Sequence, residues 1–543
     1  MIDVPKKHYQ AVIPLLYLFL LAIITAVILL ALVPPVSRDA LTHHLAIPKL
    51  YLEHGGIYEI PELDFSYYPM NLDLLYMIPL YFGNDIIPKY IHFFFALGTG
   101  WLIYDYLNRR ISKVYGLIGC LFFLSIPIIV KLSITIYVDL GLVFFSTAAL
   151  LFLFRWTEEP YKIRYLIAAA IFCGLAVGTK YNGLLTLFIL SAFVPLLYLR
   201  TTTEGKNSFT ALKWGMVFLS IALLVCSPWF IRNYFWTGNP VFPLFKGIFN
   251  PDNASLKGGL DIFSVRHVLF HESTLQILLL PIRIFFEGQD NNPQFFDGIL
   301  NPFLLILPFL AFFRIKKENH FVVEKISFAL FSILFIFIAT FQSGMRIRYI
   351  TPIIPPLIIL SVFGLYNIQS FFRNKQIGPS IAGILLLAMF AYNGNYLIEQ
   401  FKLVRPLSYI SGKINREKYI TRFRPEYPAI QFANKNISKP NKVLCIFLGN
   451  RGYYMDFPHI FDMPFNKNSF LNRTISKAKT VDDIREILLQ HDFTNILLRN
   501  DLTSKWLNNL QQHKKTTILF FQHELELMYT AGGYTLFHIK DDH

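Results

Sequence analysis

Along the first three quarters of the chain, apolar residues come in long blocks separated by short polar segments, a pattern too extended for strands and long enough for bilayer-crossing helices. About eleven blocks approach the roughly 20 residues a span requires: 11–33, 86–106, 114–130, 139–155, 163–178, 184–199, 211–229, 299–313, 326–341, 352–370 and 378–397. The stretch 67–82 is also apolar, but Pro69, Asn71, Asp73 and Pro79 interrupt it, which predicts an interfacial or re-entrant segment. The first block is longer than a signal-peptide core and ends in Pro34-Pro35 without a small-residue cleavage site, so a retained helix is expected.

From about Lys413 the pattern changes to that of a soluble domain. Helices are expected over 425–436, 481–490 and 502–513, and strands over 443–448, 495–498, 517–521, 524–529 and 534–539. Ala531-Gly532-Gly533 predicts a final hairpin. The Gly449-Asn450-Arg451-Gly452 turn does not fit a phosphate-binding fingerprint, so no nucleotide is expected there. The fold class is therefore mainly α and polytopic in the membrane, over 1–397, with a small α/β domain over 398–543. No internal repeat of the transporter kind is visible.

Composition agrees with this pattern. Of 543 residues, 54% are hydrophobic and only 16% charged, and the mean hydropathy is +0.44. A formal charge of +15 admits nucleic acid as a partner, but the Lys and Arg cluster in short segments between apolar blocks, where they face anionic headgroups; no nucleic acid is expected. Cys120, Cys173 and Cys226 lie in apolar blocks and Cys445 in the tail, a spacing that suggests neither a disulfide framework nor a zinc motif.

Orientation follows from the short loops. With Lys6 and Lys7 inside, the inner loops carry fifteen Lys and Arg, whereas the short outer loops carry four: Lys131, Lys180, Arg346 and Arg348. This places two long loops, 34–85 and 230–298, and the C-terminal domain outside a bacterial cytoplasmic membrane.

Candidate chemistry gathers on that face. In Ser37-Arg38-Asp39-Ala40-Leu41-Thr42-His43-His44, a helix starting at Ala40 would put Asp39 and His43 on one side, with His44 pointing elsewhere. Asp39 is then either a cap beside solvated histidines or a general base. Asp139 is the only acid between Asp105 and Glu158, at an apolar edge where a charge is costly; it is a helix cap or a functional acid. Lys180, in Gly178-Thr179-Lys180-Tyr181-Asn182-Gly183, is a snorkelling lysine in a turn or a phosphate contact. In Arg346-Ile347-Arg348-Tyr349-Ile350-Thr351-Pro352, Thr351 and Pro352 read as the start of a helix. If the preceding segment is extended, both arginines point the same way, towards a phosphate or towards lipid headgroups. Arg232 and Asn233 close the seventh block within an aromatic belt and add donors to the same face. Glu287, Asp290 and Asp297 read as a solvated acidic face. Two acids and two histidines also admit a divalent metal, but no tight ligand motif supports one, and no other cofactor is indicated.

Taken together these motifs resemble the GT-C superfamily of integral-membrane glycosyltransferases, in particular bacterial relatives of the protein O-mannosyltransferases and the lipid A aminoarabinose transferase, in glycosyltransferase family 39 and its neighbours. The resemblance is carried by Asp39-Ala40-Leu41-Thr42-His43-His44-Leu45, Asp139, Gly178-Thr179-Lys180-Tyr181, Pro228-Trp229-Phe230-Ile231-Arg232-Asn233 with Gly238-Asn239-Pro240, and Arg348-Tyr349. It implies a polyprenyl-phosphate-sugar donor, with Asp39 as base and Asp139 as its helper. Two departures stand out: many relatives have Asp-Glu where this chain has Asp39-Ala40, and Tyr67-Tyr68-Pro69-Met70-Asn71 lacks the lysine of the aminoarabinose transferases.

The expected activity is transfer of a sugar to an acceptor hydroxyl at the outer face, with inversion. Asp39 and Asp139 would be catalytic; His43, His44, Lys180, Arg232, Asn233, Arg346, Arg348 and Tyr349 would bind substrate. The acceptor, a glycan, lipid or protein, is left open. A lipid-linked glycan transporter and a surface-glycan polymerase or ligase are the alternatives.

Overall fold

The computed structural model describes residues 12–202, 207–249, 262–313, 321–341, 344–371 and 376–540. Lys6, Lys7, Lys206, Arg314, Lys316, Lys317, Arg373 and Lys375, which entered the orientation argument, lie outside these residues. Packing divides the chain into two units: 1–32, 64–79 and 87–406 form one, and 33–63, 80–86 and 407–543 the other.

In the membrane unit seven described helices are long and apolar enough to cross a bilayer, and Lys113–Ser125 with Pro127–Ser133, bent by 66°, makes an eighth if read as one span. The other three expected blocks fall short for separate reasons. Ile87–Arg110 has 24 residues but is diluted by Lys89, His92, Asp105 and Arg109. Ile163–Thr179 has only 17 residues, and 299–313 contains one helix of 8, Phe303–Leu310. Burial separates central helices from peripheral ones. The apolar window of Ile347–Gln369 is 89% buried, whereas that of Val12–Ala31 is 11% buried and presents Leu18 and Leu21 outward, as a lipid-facing helix would.

The interrupted stretch 67–82 forms the helix Asn71–Tyr81, with Pro79 inside it. Leu72, Asp73 and Tyr76 are buried, and the Tyr76 hydroxyl donates to the Tyr137 carbonyl at 2.5 Å. This first face is packed against the unit, while Ile78, Tyr81 and Phe82 remain exposed.

Asp139–Glu158, at about 1.5 Å per residue, is about 30 Å long and separates two charged ends. At its C-terminal end Arg110 pairs with Glu158 and forks onto Glu324, which also accepts from Tyr106. Its N-terminal end carries Asp139.

The second unit contains a five-stranded sheet: β1 (Lys442–Ile446), β2 (His459–Asp462), β3 (Phe493–Arg499), β4 (Leu525–Ala531) and β5 (Tyr534–Ile539). The order is β2-β1-β3-β5-β4, with β1 parallel to β2 and β3, and β5 antiparallel to β3 and β4. Leu444, Ile446, Ile496 and Leu498 enter one apolar layer and Val443, Cys445 and Leu497 the other, as alternation along strands covered on both faces requires. The hairpin at 531–533 forms as expected, but 517–521, read as a strand, lies in the helix Lys514–His523. Its Thr517 and Phe520 are buried three residues apart, a helical spacing obscured by the β-branched residues. Neither β2 nor the helix Phe470–Lys477 was expected.

Candidate functional site

The N-terminal end of Asp139–Glu158 collects most of the expected site residues. Asp139 is fully buried, and its Oδ1 accepts from Lys180 Nζ at 2.5 Å. Asp139 therefore holds a cation instead of merely capping its helix. Lys180 Nζ also lies 5.1 Å from the Tyr349 ring centre, and the Arg348 guanidinium lies 4.9 Å from that of Tyr137 and 5.3 Å from that of Tyr349. Arg348, nearly buried, stands within electrostatic reach of Asp139. The backbone here is set by His92, whose Nε2 accepts from Leu140 N at 2.9 Å while Nδ1 faces the Leu132 and Thr135 carbonyls at 2.9 and 3.1 Å. Those partners assign the proton to Nδ1 and make the ring a neutral spacer. Sequence reasoning missed His92 because its partners are backbone atoms of other segments.

Lys180 reaches this position because the helix Ile163–Thr179 stops one residue earlier and Lys180 itself is extended. Gly178 lies against the Asn71 amide so closely that a Cβ would collide with it. Asn71 in turn donates to the Leu175 carbonyl and accepts from Trp229 Nε1 at 2.8 Å.

Arg232 and Asn233 join the same region through other contacts. Asn233 is fully buried; its amide donates to the Tyr67 carbonyl at 2.7 Å and to the Tyr181 hydroxyl at 3.0 Å. Arg232 donates to Asn233 Oδ1 and the Tyr68 carbonyl and lies 4.7 Å from the ring centres of both Trp229 and Trp236. The Tyr68 and Tyr181 rings, 5.4 Å apart, connect this group to Lys180. These aromatics are thus more than an interfacial belt.

Arg346 goes elsewhere. Its segment is not extended throughout: Arg346 is, but Ile347–Ile353 is a 3-10 helix, so Arg346 and Arg348 diverge. Arg346 approaches Asp297 at 3.7 Å. Lys131 bridges Asp297 at 2.9 Å and Asp290 at 3.0 Å, and Asp290 accepts from the Tyr396 hydroxyl at 2.6 Å. The expected solvated acidic face is therefore a paired network; Glu287 is likewise paired, with Arg283 at 2.7 Å. Thr351 does not cap the next helix as expected, because its hydroxyl donates to the Arg348 carbonyl at 2.9 Å.

Asp39 belongs to the second unit and is half-buried. Its side chain makes no capping hydrogen bond, and the expected helix from Ala40 is a single π turn, Ala40–His44, closed by Leu45 N to Ala40 O at 2.9 Å. The α-helix begins at Ala46, so Pro48 sits in its first turn, where no intrahelical donor is lost. The rings of His43 and His44 lie 4.0 Å apart, tilted by 48°, and His44 is buried. The loop is stitched to the C-terminal sheet domain by Lys49, which donates to the Tyr453 and Met455 carbonyls and to Asp456 at 2.6 Å, and by Tyr454, which donates to the Pro35 carbonyl at 2.8 Å. Asp85 forks with Arg416, and although burial alone would lower the guanidinium pKa, the carboxylate holds it above its ordinary value.

No three His, Cys, Asp or Glu side chains among the described residues converge as metal ligands do. The membrane-unit cluster sets two cations, Lys180 and Arg348, beside one buried carboxylate and against the rings of Tyr137 and Tyr349, a set suited to an anionic head group.

Residues 82–231, which include Asp139 and Lys180, match the dolichyl-phosphate-mannose-protein mannosyltransferase family. The structure is similar to that of ArnT from Cupriavidus metallidurans in the apo state, with a TM-score of 0.58 and 12% identity over 97% of this chain and 98% of that one. It is equally similar, at a TM-score of 0.58 and 13% identity over 96% and 97% of the two chains, to the same protein bound to undecaprenyl phosphate. The apo oligosaccharyltransferase of Archaeoglobus fulgidus aligns with a TM-score of 0.52 and 14% identity over 93% of this chain and 71% of that one. No curated protein sequence matches the chain. The fold is the one shared by ArnT and the archaeal oligosaccharyltransferase. Within it, the stretch bearing the Asp139–Lys180 pair carries the mannosyltransferase-type signature.

Proposed function

We propose that the chain transfers a sugar from a polyprenyl-phosphate donor to an acceptor hydroxyl at the outer face of a bacterial cytoplasmic membrane, with inversion at the anomeric carbon. The observation that carries this reading is the buried Asp139–Lys180 pair with Arg348 beside it. A departing polyprenyl phosphate is a stable anion that needs no general acid; it needs fixed positive charge, which Lys180, Arg348 and Arg232 supply. Asp139 orients Lys180 through the 2.5 Å hydrogen bond from Nζ. Tyr349, between the two cations, and Asn233, which anchors Tyr67, shape the donor site. Arg346 is assigned a supporting part in phosphate binding, held by Asp297. The shared fold with a structure that contains undecaprenyl phosphate supports the donor class.

Asp39 is assigned as the base that takes the acceptor's proton as its oxygen attacks the anomeric carbon, and His43 and His44 as acceptor contacts. In this reading the N-terminus faces the cytoplasm and the C-terminal domain the outside.

The test is a membrane-reconstituted transfer assay with a polyprenyl-phosphate sugar. Asp39→Asn is expected to lower turnover by about 100-fold or more, the usual share of a general base. Near wild-type turnover at normal expression would sink the base assignment.

A further inference from the structure

Within the second unit a cleft of about 740 Å³ opens among the helix Ala46–His54, the segment 80–86, the helices Arg416–Phe423 and Tyr427–Asn436, and the turn 451–456. None of the residues assigned above to sugar transfer lines it. Its volume falls within the roughly 300–1,000 Å³ typical of small-molecule sites.

The lining has two components. One is aromatic: Tyr81 is 74% exposed at the mouth, and Tyr453 and Tyr454, with ring centres 5.0 Å apart, form a wall that Tyr427 extends at 5.2 Å from Tyr454. The other is charged, with each cation held by a carboxylate and one carboxylate in excess. Arg416 forks onto Asp85, Lys49 is held by Asp456 and lies 3.8 Å from Glu53, and so two cations face three carboxylates.

That balance selects the ligand. A phosphate or anionic headgroup needs excess positive charge, which is absent, and a lipid chain needs an apolar lining. A sugar chain presents C–H faces that rest on aromatic rings, and closely spaced hydroxyls that each donate and accept. Paired carboxylates retain acceptor lone pairs, and paired guanidinium and ammonium groups retain donors, so both hydroxyl roles are met without stranding a charge. We propose that this cleft binds an uncharged glycan chain. The proposal goes beyond the transfer reading and does not depend on turnover.

The test uses the full-length protein in nanodiscs, titrated without any donor against neutral oligosaccharides of defined composition, with saturation-transfer NMR to detect contact and calorimetry to measure affinity. At least one neutral oligosaccharide is expected to bind, with Tyr81→Ala and Asp456→Ala each weakening it about tenfold, and with the thermal midpoint of Tyr81→Ala within error, since that side chain is largely exposed. Arg416→Lys, which keeps the charge and loses the fork, is expected to weaken binding as well. Failure of every neutral oligosaccharide to bind, affinity unchanged in both exposed-residue variants, or preferential binding of a sugar phosphate or a peptide would each overturn the proposal. Because no donor is present, any of these results leaves the transfer reading to its own assay.

Discussion

Asp139 and Lys180 lie forty-one positions apart and meet at 2.5 Å, Asp139 fully buried and Lys180 partly so. Removing one member strands the other, whereas removing both leaves no unpaired charge. Lys180→Met is therefore expected to cost about 3 kcal/mol or more, while Asp139→Asn combined with Lys180→Met costs less than the two single changes together. Chemical denaturation of the three variants in detergent measures this; additive losses would show that the pair is not coupled. At this scale the sequence was informative about residue type and silent about partners. An acid at an apolar edge and a lysine in a glycine turn are visible as costly placements, but their pairing depends on two helices lying side by side. Arg346 and Arg348 show the limit from the other direction. Their two-residue spacing is consistent with a shared direction only in an extended strand, and the 3-10 helix Ile347–Ile353 sends them to different acids.

At the level of elements, what positions Lys180 is the end of a helix and the absence of a side chain two residues earlier. Gly178→Ala puts a methyl group into the Asn71 amide, which is already committed to Leu175 and Trp229. The substitution is expected to destabilise the protein by about 1–3 kcal/mol and to lower transfer through displacement of Lys180. Asn71→Ala in the same chain makes room for the methyl group and is expected to recover part of the thermal midpoint. Recovery of none of it would place the damage elsewhere. Hydrophobic runs made the long helices legible, because a span must be apolar along its whole length whatever its neighbours are. The helix Asn71–Tyr81 was harder to place, since prolines and an acid interrupt its apolar residues and only packing shows which face is buried. Lys514–His523 was misread because Thr516, Thr517 and Ile518 favour strands locally and tertiary contacts outweighed that preference.

Over the whole chain, packing assigns 33–63 and 80–86 to the same unit as 407–543. Part of that unit is His459 on β2, whose pKa is lowered chiefly by burial, partly offset by its hydrogen bond to the Phe457 carbonyl, with Lys49 adding a lesser lowering. A histidine with a lowered folded pKa favours folding fully above its unfolded value, about pH 6.5, and that contribution is lost as the pH falls from there through the folded value. Thermal unfolding of this unit is thus expected to shift down as the medium is acidified below about pH 6.5, and His459→Gln should flatten that dependence. An equal slope in the variant would assign the effect to other groups. The sequence by itself determined the membrane class, most of the helices and strands, and the residue types that carry chemistry, because each follows from transfer of side chains out of water or from local periodicity. Only the tertiary structure decided that Asp139 holds Lys180, that Arg346 and Arg348 part, and that the loop bearing Asp39 packs with the C-terminal sheet. Those outcomes depend on contacts between residues tens to hundreds of positions apart, which no local pattern encodes.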